Sequence, residues 1–249
     1  MTLFNKMQIF GTHNVTVFHD VFDLPYAEFH NIIFKKVNFQ ELVDTYNKEH
    51  GLRLSSSFNN RPFFERRRLS DIVRLLLCTE NCFYFDTDTF FFKYIDFDFL
   101  VYEPFEKRSA NNGIYRLSDE NNRFLETVRG YLNETSAIEG ERALSANYEA
   151  FNYMKKLWTE YYPNFPESLR VLEIPIVYHL LPFDLRKEKG KLMDDLRFYS
   201  RYSYFYHCYE KEQMAIVFEG HRRLFSERYD DAVLGDLNAF LASLKPNSN

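Results

Sequence analysis

Cysteine is scarce in this chain: three residues, Cys78, Cys82 and Cys208, among 249. Cys78 and Cys82 have the spacing to meet on a helical turn, but no second pair completes a structural zinc site. Cys82 sits in an apolar run and reads as a small packed hydrophobe. So sparse and odd a count fits a reducing compartment, and a cytoplasmic location is expected. Long apolar runs are missing too. Met1-Thr2-Leu3-Phe4-Asn5-Lys6 opens none, so neither a signal peptide nor a membrane span is expected, only peripheral membrane contact at most. A long basic block is also lacking. The net charge is −5, and the one tight cluster, Arg66-Arg67-Arg68, is flanked by Glu65 and Asp71. Nucleic acid is therefore not an expected partner. Tryptophan occurs once, as Trp158, on an amphipathic stretch that reads as core. No repeat or low-complexity tract is present.

What the chain does contain is apolar and aromatic. Hydrophobic residues make up 45% and charged residues 27%, enough to fold. The aromatic share is 18%, which supplies a Phe-rich core or stacking platforms for bases and sugars. The length suits one domain, 1–249. Val15 to Asp20 and Asn31 to Lys36 read as short strands. Phe39 to Glu49 has helical spacing and stops near Gly51. In Phe64 to Leu77, Leu69, Ile72, Val73 and Leu76 follow the helical apolar pattern. Projection at about 100° per residue puts Arg67, Asp71 and Arg74 on the opposite face. Cys82 to Phe85 reads as a buried strand, and Phe90 to Tyr102 as a turn and another strand. Asn121 to Glu134 and Asn147 to Tyr162 read as helices. Val171 to Tyr178 and Tyr202 to Tyr209 are late strand candidates. Asp230 to Leu244 is an amphipathic helix with Leu234, Leu237, Leu241 and Leu244 on one stripe. The mixture predicts an α/β fold with parallel strands joined by helices. In such sheets ligands gather beyond the carboxyl ends of strands.

One stretch stands out. Ser70-Asp71-Ile72-Val73-Arg74 is followed, after a short gap, by Phe83-Tyr84-Phe85-Asp86-Thr87-Asp88. Two carboxylates one residue apart at the end of an apolar strand are costly unless something cationic sits there. A divalent metal carrying a nucleotide diphosphate meets that need. A second D-x-D, Asp96-Phe97-Asp98, alternates like an ordinary half-exposed strand and reads as structural.

This central segment resembles the DXD-containing sugar transferases, a group that includes polysaccharide-building mannosyltransferases and the glucosyltransferase domains of large bacterial toxins. Their pattern is an S-D-x-x-R helix and then an apolar strand ending Y-x-D-x-D. The matching residues here are Ser70, Asp71 and Arg74, then Tyr84, Asp86 and Asp88. Asn111-Asn112-Gly113 falls where the family places a polar segment on the acceptor side. Tyr204-Phe205-Tyr206-His207 is similar to the family's late strand ending in a histidine near the metal. Glu80-Asn81-Cys82-Phe83 replaces the usual G-G, and the first nucleotide-binding strand looks shortened.

The resemblance implies a GT-A-type nucleotide-diphospho-sugar transferase fold with a mostly parallel central sheet flanked by helices. It implies a nucleotide and metal half at about 1–110 and an acceptor half with closing helices at about 111–249. The implied reaction moves a hexose from a nucleotide sugar, UDP-sugar before GDP-sugar, to a glycan or protein acceptor, with retention, in polysaccharide assembly. Mn²⁺ or Mg²⁺ is the implied cofactor, a Lewis acid for the departing diphosphate. Asp88 is the implied metal ligand, with Asp86 on the ribose and a metal-bound water and His207 completing the site. Ser70, Asp71, Arg74 and Tyr84 are implied on the donor, Asn111 and Asn112 on the acceptor.

Two other classes fit parts of the same stretch. Asp86-Thr87-Asp88-Thr89 also matches the D-x-D-x-T of haloacid-dehalogenase-like phosphohydrolases, with Asp86 as nucleophile, Asp88 as acid/base and Mg²⁺. The later acidic pair there would be Asp194-Asp195 or Asp230-Asp231. The third class is a non-catalytic nucleotide-sugar-binding module. His19-Asp20, at a strand end, is placed to line a base pocket.

Overall fold

The structure is a computed structural model. It describes residues 2–51, 73–78, 81–103, 109–121, 126, 130, 167–173, 194, 196–197, 200–207 and 211–244. The chain forms two compact units. The first comprises Met1–Val37, Thr87–Ile95 and Pro175–Asn249, the second Asn38–Asp86 and Asp96–Ile174.

The first unit opens with helix α1 (Thr2–Ile9). Phe4, Met7 and, just beyond it, Phe10 are buried and fix its inner face. Strands β1 (Val15–His19), β2 (Tyr26–Phe29) and β3 (Ile32–Lys36) form a sheet in the order β1-β3-β2. β1 runs parallel to β3, and β2 antiparallel to it. β2 and β3 are joined by His30 and Asn31 alone, and His30 takes a left-handed φ of 53° to make so tight a reversal. Alternation places Val15, Ile32 and Phe34 on one face, all buried.

Later segments complete this unit. β5 (Thr89–Phe91) pairs antiparallel with β9 (Phe205–His207). Helices α3 (Lys211–Leu224) and α4 (Asp231–Ser243) follow. Met214, Val217, Phe218, His221 and Leu224 recur at helical spacing along α3. Val217 and Phe218 join Phe90, Phe92, Leu196 and Tyr206 in the core. Asp230 caps α4, accepting from Ala232 N (2.9 Å) and Val233 N (3.3 Å). Phe240 of α4 sits against Phe29 and Phe34, ring centroids 5.3 and 5.8 Å apart.

The second unit begins with helix α2 (Phe39–His50). Asn38 caps its start by accepting from Glu41 N, and Gly51 ends it at φ 67°. Residues 73–77 are helical. β4 (Cys82–Phe85), β6 (Phe99–Glu103), β7 (Ser109–Leu117) and β8 (Arg170–Glu173) build a sheet in the order β4-β7-β6-β8. β7 is antiparallel to both β4 and β6, with a register shift between Phe99 and Val101, and β8 is parallel to β6. Phe99, Leu100 and Val101 are fully buried, each side chain contributing about 1.5–3 kcal/mol of hydrophobic stabilisation.

The molecule is thus α/β, but its sheets are mixed rather than mostly parallel. Among the described pairings β1–β3 and β6–β8 are parallel, whereas β2–β3, β4–β7, β5–β9 and β6–β7 are antiparallel. Connection length explains this locally: two residues suffice for a hairpin, whereas a parallel crossover needs a dozen or more. No strand precedes β1 among the described residues, where helix α1 stands instead. The expected helices Asn147 to Tyr162 and most of Asn121 to Glu134 lie outside the described residues. So does the expected strand beyond Glu173. Among the described residues no helix is long and apolar enough to cross a membrane.

Candidate functional site

Aromatic side chains make β4 a strand, and its alternation separates them. Phe83 meets Phe85 and Phe99 edge-on at 5.4 and 5.6 Å. Tyr84 points to the other face, where it stacks on Tyr115, its register partner on β7, at 5.4 Å. Asp86 follows at the strand end, and its N–H donates to Gly113 O at 2.8 Å.

The helical residues 73–77 bring Arg74 to the same place. Its guanidinium lies 5.1 Å from the Tyr84 ring centre. Nη1 stands 3.3 Å from Asp86 Oδ1 and 3.4 Å from Oδ2. The Arg74 side chain is only 9% exposed and that of Asp86 25%. Arg74 is thus buried against the ion pair and the tyrosine ring. Tyr84 Oη donates to Asp86 Oδ1 at 2.8 Å. Burial, opposed by nearby Arg74, holds the phenol well above its ordinary pKa, so it stays a neutral donor. A cation of the chain itself, Arg74, thus stands beside this carboxylate.

Asp88 lies two residues on, half-buried in the turn between β4 and β5. Thr89, which follows it, is the Cα partner of His207 on β9. The backbone register thus brings the strand carrying His207 beside the Asp88 turn. From α1, Lys6 Nζ donates to Thr87 O and Thr89 O, both at 2.9 Å. Asn111 and Asn112 fall on β7 directly before Gly113, the strand that receives the Asp86 amide. They form part of that strand. Ser70 and Asp71 lie outside the described residues.

The other carboxylates and histidines have structural tasks. Asp98 Oδ2 accepts from Ser118 N (2.9 Å), Ser118 Oγ (2.5 Å) and Asn121 Nδ2 (2.6 Å). Burial raises its pKa, but these bonds outweigh it and hold the carboxyl below its ordinary value. Asp98 thus has a structural task, but Asp96-Phe97-Asp98 precedes β6 rather than lying in a strand as expected. Asp231 pairs with Arg222, and exposed Asp194 with Arg197. His19 is buried and packs against Phe22 and Phe34. Burial lowers its pKa against the pull of Asp20.

Sequence reasoning missed a buried polar network on β5. Asn5 brackets Phe91: Nδ2 donates to its carbonyl at 2.9 Å, and its amide donates to Oδ1 at 2.7 Å. His221 Nε2 lies 3.1 Å from the same carbonyl, which can only accept, so Nε2 carries the proton. Nδ1 then accepts from Tyr229 Oη at 2.7 Å. Burial lowers the His221 pKa to about 4, keeping it neutral. The available signal was the spacing of Phe4, Met7 and Phe10, which marks α1.

No protein-family model, curated protein or solved structure matches this chain. Among the described residues no three His, Cys, Asp or Glu side chains converge as a metal cradle.

Proposed function

We propose that this chain is a GT-A-type glycosyltransferase that moves a hexose from a nucleotide sugar, UDP-sugar before GDP-sugar, to a glycan or protein acceptor with retention. The observation that carries the reading is the meeting of Arg74 with Asp86 and Tyr84. Residues of the two motif halves, twelve positions apart, converge on one carboxylate. A charge-assisted N–H···O bond closes to about 2.7–2.9 Å. The Arg74–Asp86 separation of 3.3 Å leaves that pair short of full closure. In this reading a phosphate or sugar oxygen binds the planar guanidinium of Arg74. Asp86, held by Tyr84, then orients Arg74 and faces the ribose. Asn111 and Asn112 serve the acceptor.

We infer a Mn²⁺ or Mg²⁺ ion at Asp88. Such ions commonly take one or two protein carboxylates and complete their oxygen shell with phosphates and water. Asp88 supplies a half-buried carboxylate. Next to it Thr89 Oγ1 is fully buried with no hydrogen-bond partner among the described residues. Asp88 would hold the metal with His207, and the bound ion would stabilise charge on the leaving diphosphate. The chain's own work is to bind the donor through Arg74 and to leave the acceptor proton to the departing phosphate oxygen. Cys78 and Cys82, neither of them in a disulfide, suit a cytoplasmic setting.

The phosphohydrolase reading gains less support. Its Asp86 nucleophile is already engaged by Tyr84 and Arg74, and Asp230 is occupied as a helix cap. The deciding assay measures UDP or GDP release from a panel of nucleotide sugars with Mn²⁺. Asp88→Ala is expected to lose at least about a hundredfold in rate with an unchanged thermal melt. Wild-type turnover in that variant, or p-nitrophenyl phosphate hydrolysis abolished by Asp86→Asn, would overturn the reading.

A further inference from the structure

We infer that Lys6 is a positioning residue for Asp88, fixing the turn that presents this carboxylate to a divalent cation. The inference rests on the reading of Asp88 as a cation ligand. Lys6 is 1% exposed. Its ammonium donates at 2.9 Å to the carbonyls of Thr87 and Thr89, the residues on either side of Asp88. A buried ammonium is tolerated only where acceptors replace its lost water. Both carbonyls must therefore stay turned toward Nζ, which sets the backbone on each side of Asp88. Helix α1 reinforces this clamp one residue earlier. Asn5 bonds both backbone groups of Phe91, at 2.9 and 2.7 Å, and so locks the strand into which the turn runs. Neighbouring side chains of one helix thus secure three backbone positions over five residues, with Asp88 among them. A surface lysine held for solubility has no reason to be placed so.

The test uses the intact chain and Mn²⁺ alone. In wild-type protein with ¹⁵N-labelled lysine, a buried, hydrogen-bonded ammonium exchanges slowly and gives a resolved signal. Mn²⁺ is expected to bleach the Lys6 signal in wild type and to leave it in Asp88→Asn. Lys6→Met is expected to weaken Mn²⁺ binding by about tenfold or more, while metal-free UDP binding stays unchanged. Lys6→Arg, which keeps charged donors, should recover part of the loss. A Lys6→Met chain that binds Mn²⁺ as tightly as wild type overturns the inference and leaves the transferase reading intact, whereas a Lys6 signal that survives saturating Mn²⁺ removes Asp88 as the cation ligand and overturns both. Wild-type protein that takes up no Mn²⁺ overturns both. Should Lys6→Met fail to fold, the wild-type spectrum decides.

Discussion

Arg74 does two things that a lysine cannot do together. It lies over the Tyr84 ring and faces both oxygens of Asp86 from one nitrogen of its planar fork. Lysine offers a compact charge on a flexible stem. Arg74→Lys is therefore expected to lower kcat/KM by about tenfold or more while shifting the melting temperature little, since the charge pair survives. Equal kinetics in the two proteins would remove Arg74 from the donor site. Arg74, Tyr84 and Asp86 were legible as a group because their types and spacing in the chain already form a pattern. Lys6 and Asn5 were not. Their partners lie 81 to 86 residues away, and nothing in Asn5-Lys6 itself tells a buried clamp from a solvated pair.

At the level of elements, helix α4 shows how much a short signal can carry. Its predicted span, Asp230 to Leu244, agrees with the helix Asp231–Ser243 between its two caps. The carboxylate that starts it satisfies two amides that a helix end leaves open. Asp230→Ala is expected to cost about 1 kcal/mol of unfolding free energy, and Asp230→Asn much less. Urea titrations of the three proteins measure the difference. Strands β1, β3 and β4 were equally readable, each a compact apolar run. α3 went unread although its apolar residues keep helical period. His221 and Gly220 interrupt the apolar character, yet both are buried and belong to its inner face. The hairpin turn at His30 was also hidden, because a histidine in left-handed conformation carries no compositional mark.

For the whole molecule, strand direction was the least readable property. It depends on pairings across long stretches of chain, which local pattern does not encode. Stability as a function of pH is more accessible. The unfolded imidazole of residue 221 gains its proton near 6.5, the native one near 4. Acidification through that window loads protons on the unfolded chain alone and so removes stability. Above 6.5 both forms are neutral and this contribution is fully present. Between pH 7 and pH 5 wild type should lose about 2 kcal/mol more than His221→Gln. Parallel urea titrations at the two pH values would show it, and identical losses would discount the buried histidine.

The rings of Phe29 and Phe34 rest on Phe240, far along the same chain. During synthesis the first hairpin leaves the ribosome about two hundred residues ahead of its cover. Until translation reaches that phenylalanine, three short strands expose a greasy flank to the crowded cell. The nascent polypeptide thus has a long period of exposure to chaperones, and every premature stop before α4 leaves that flank bare.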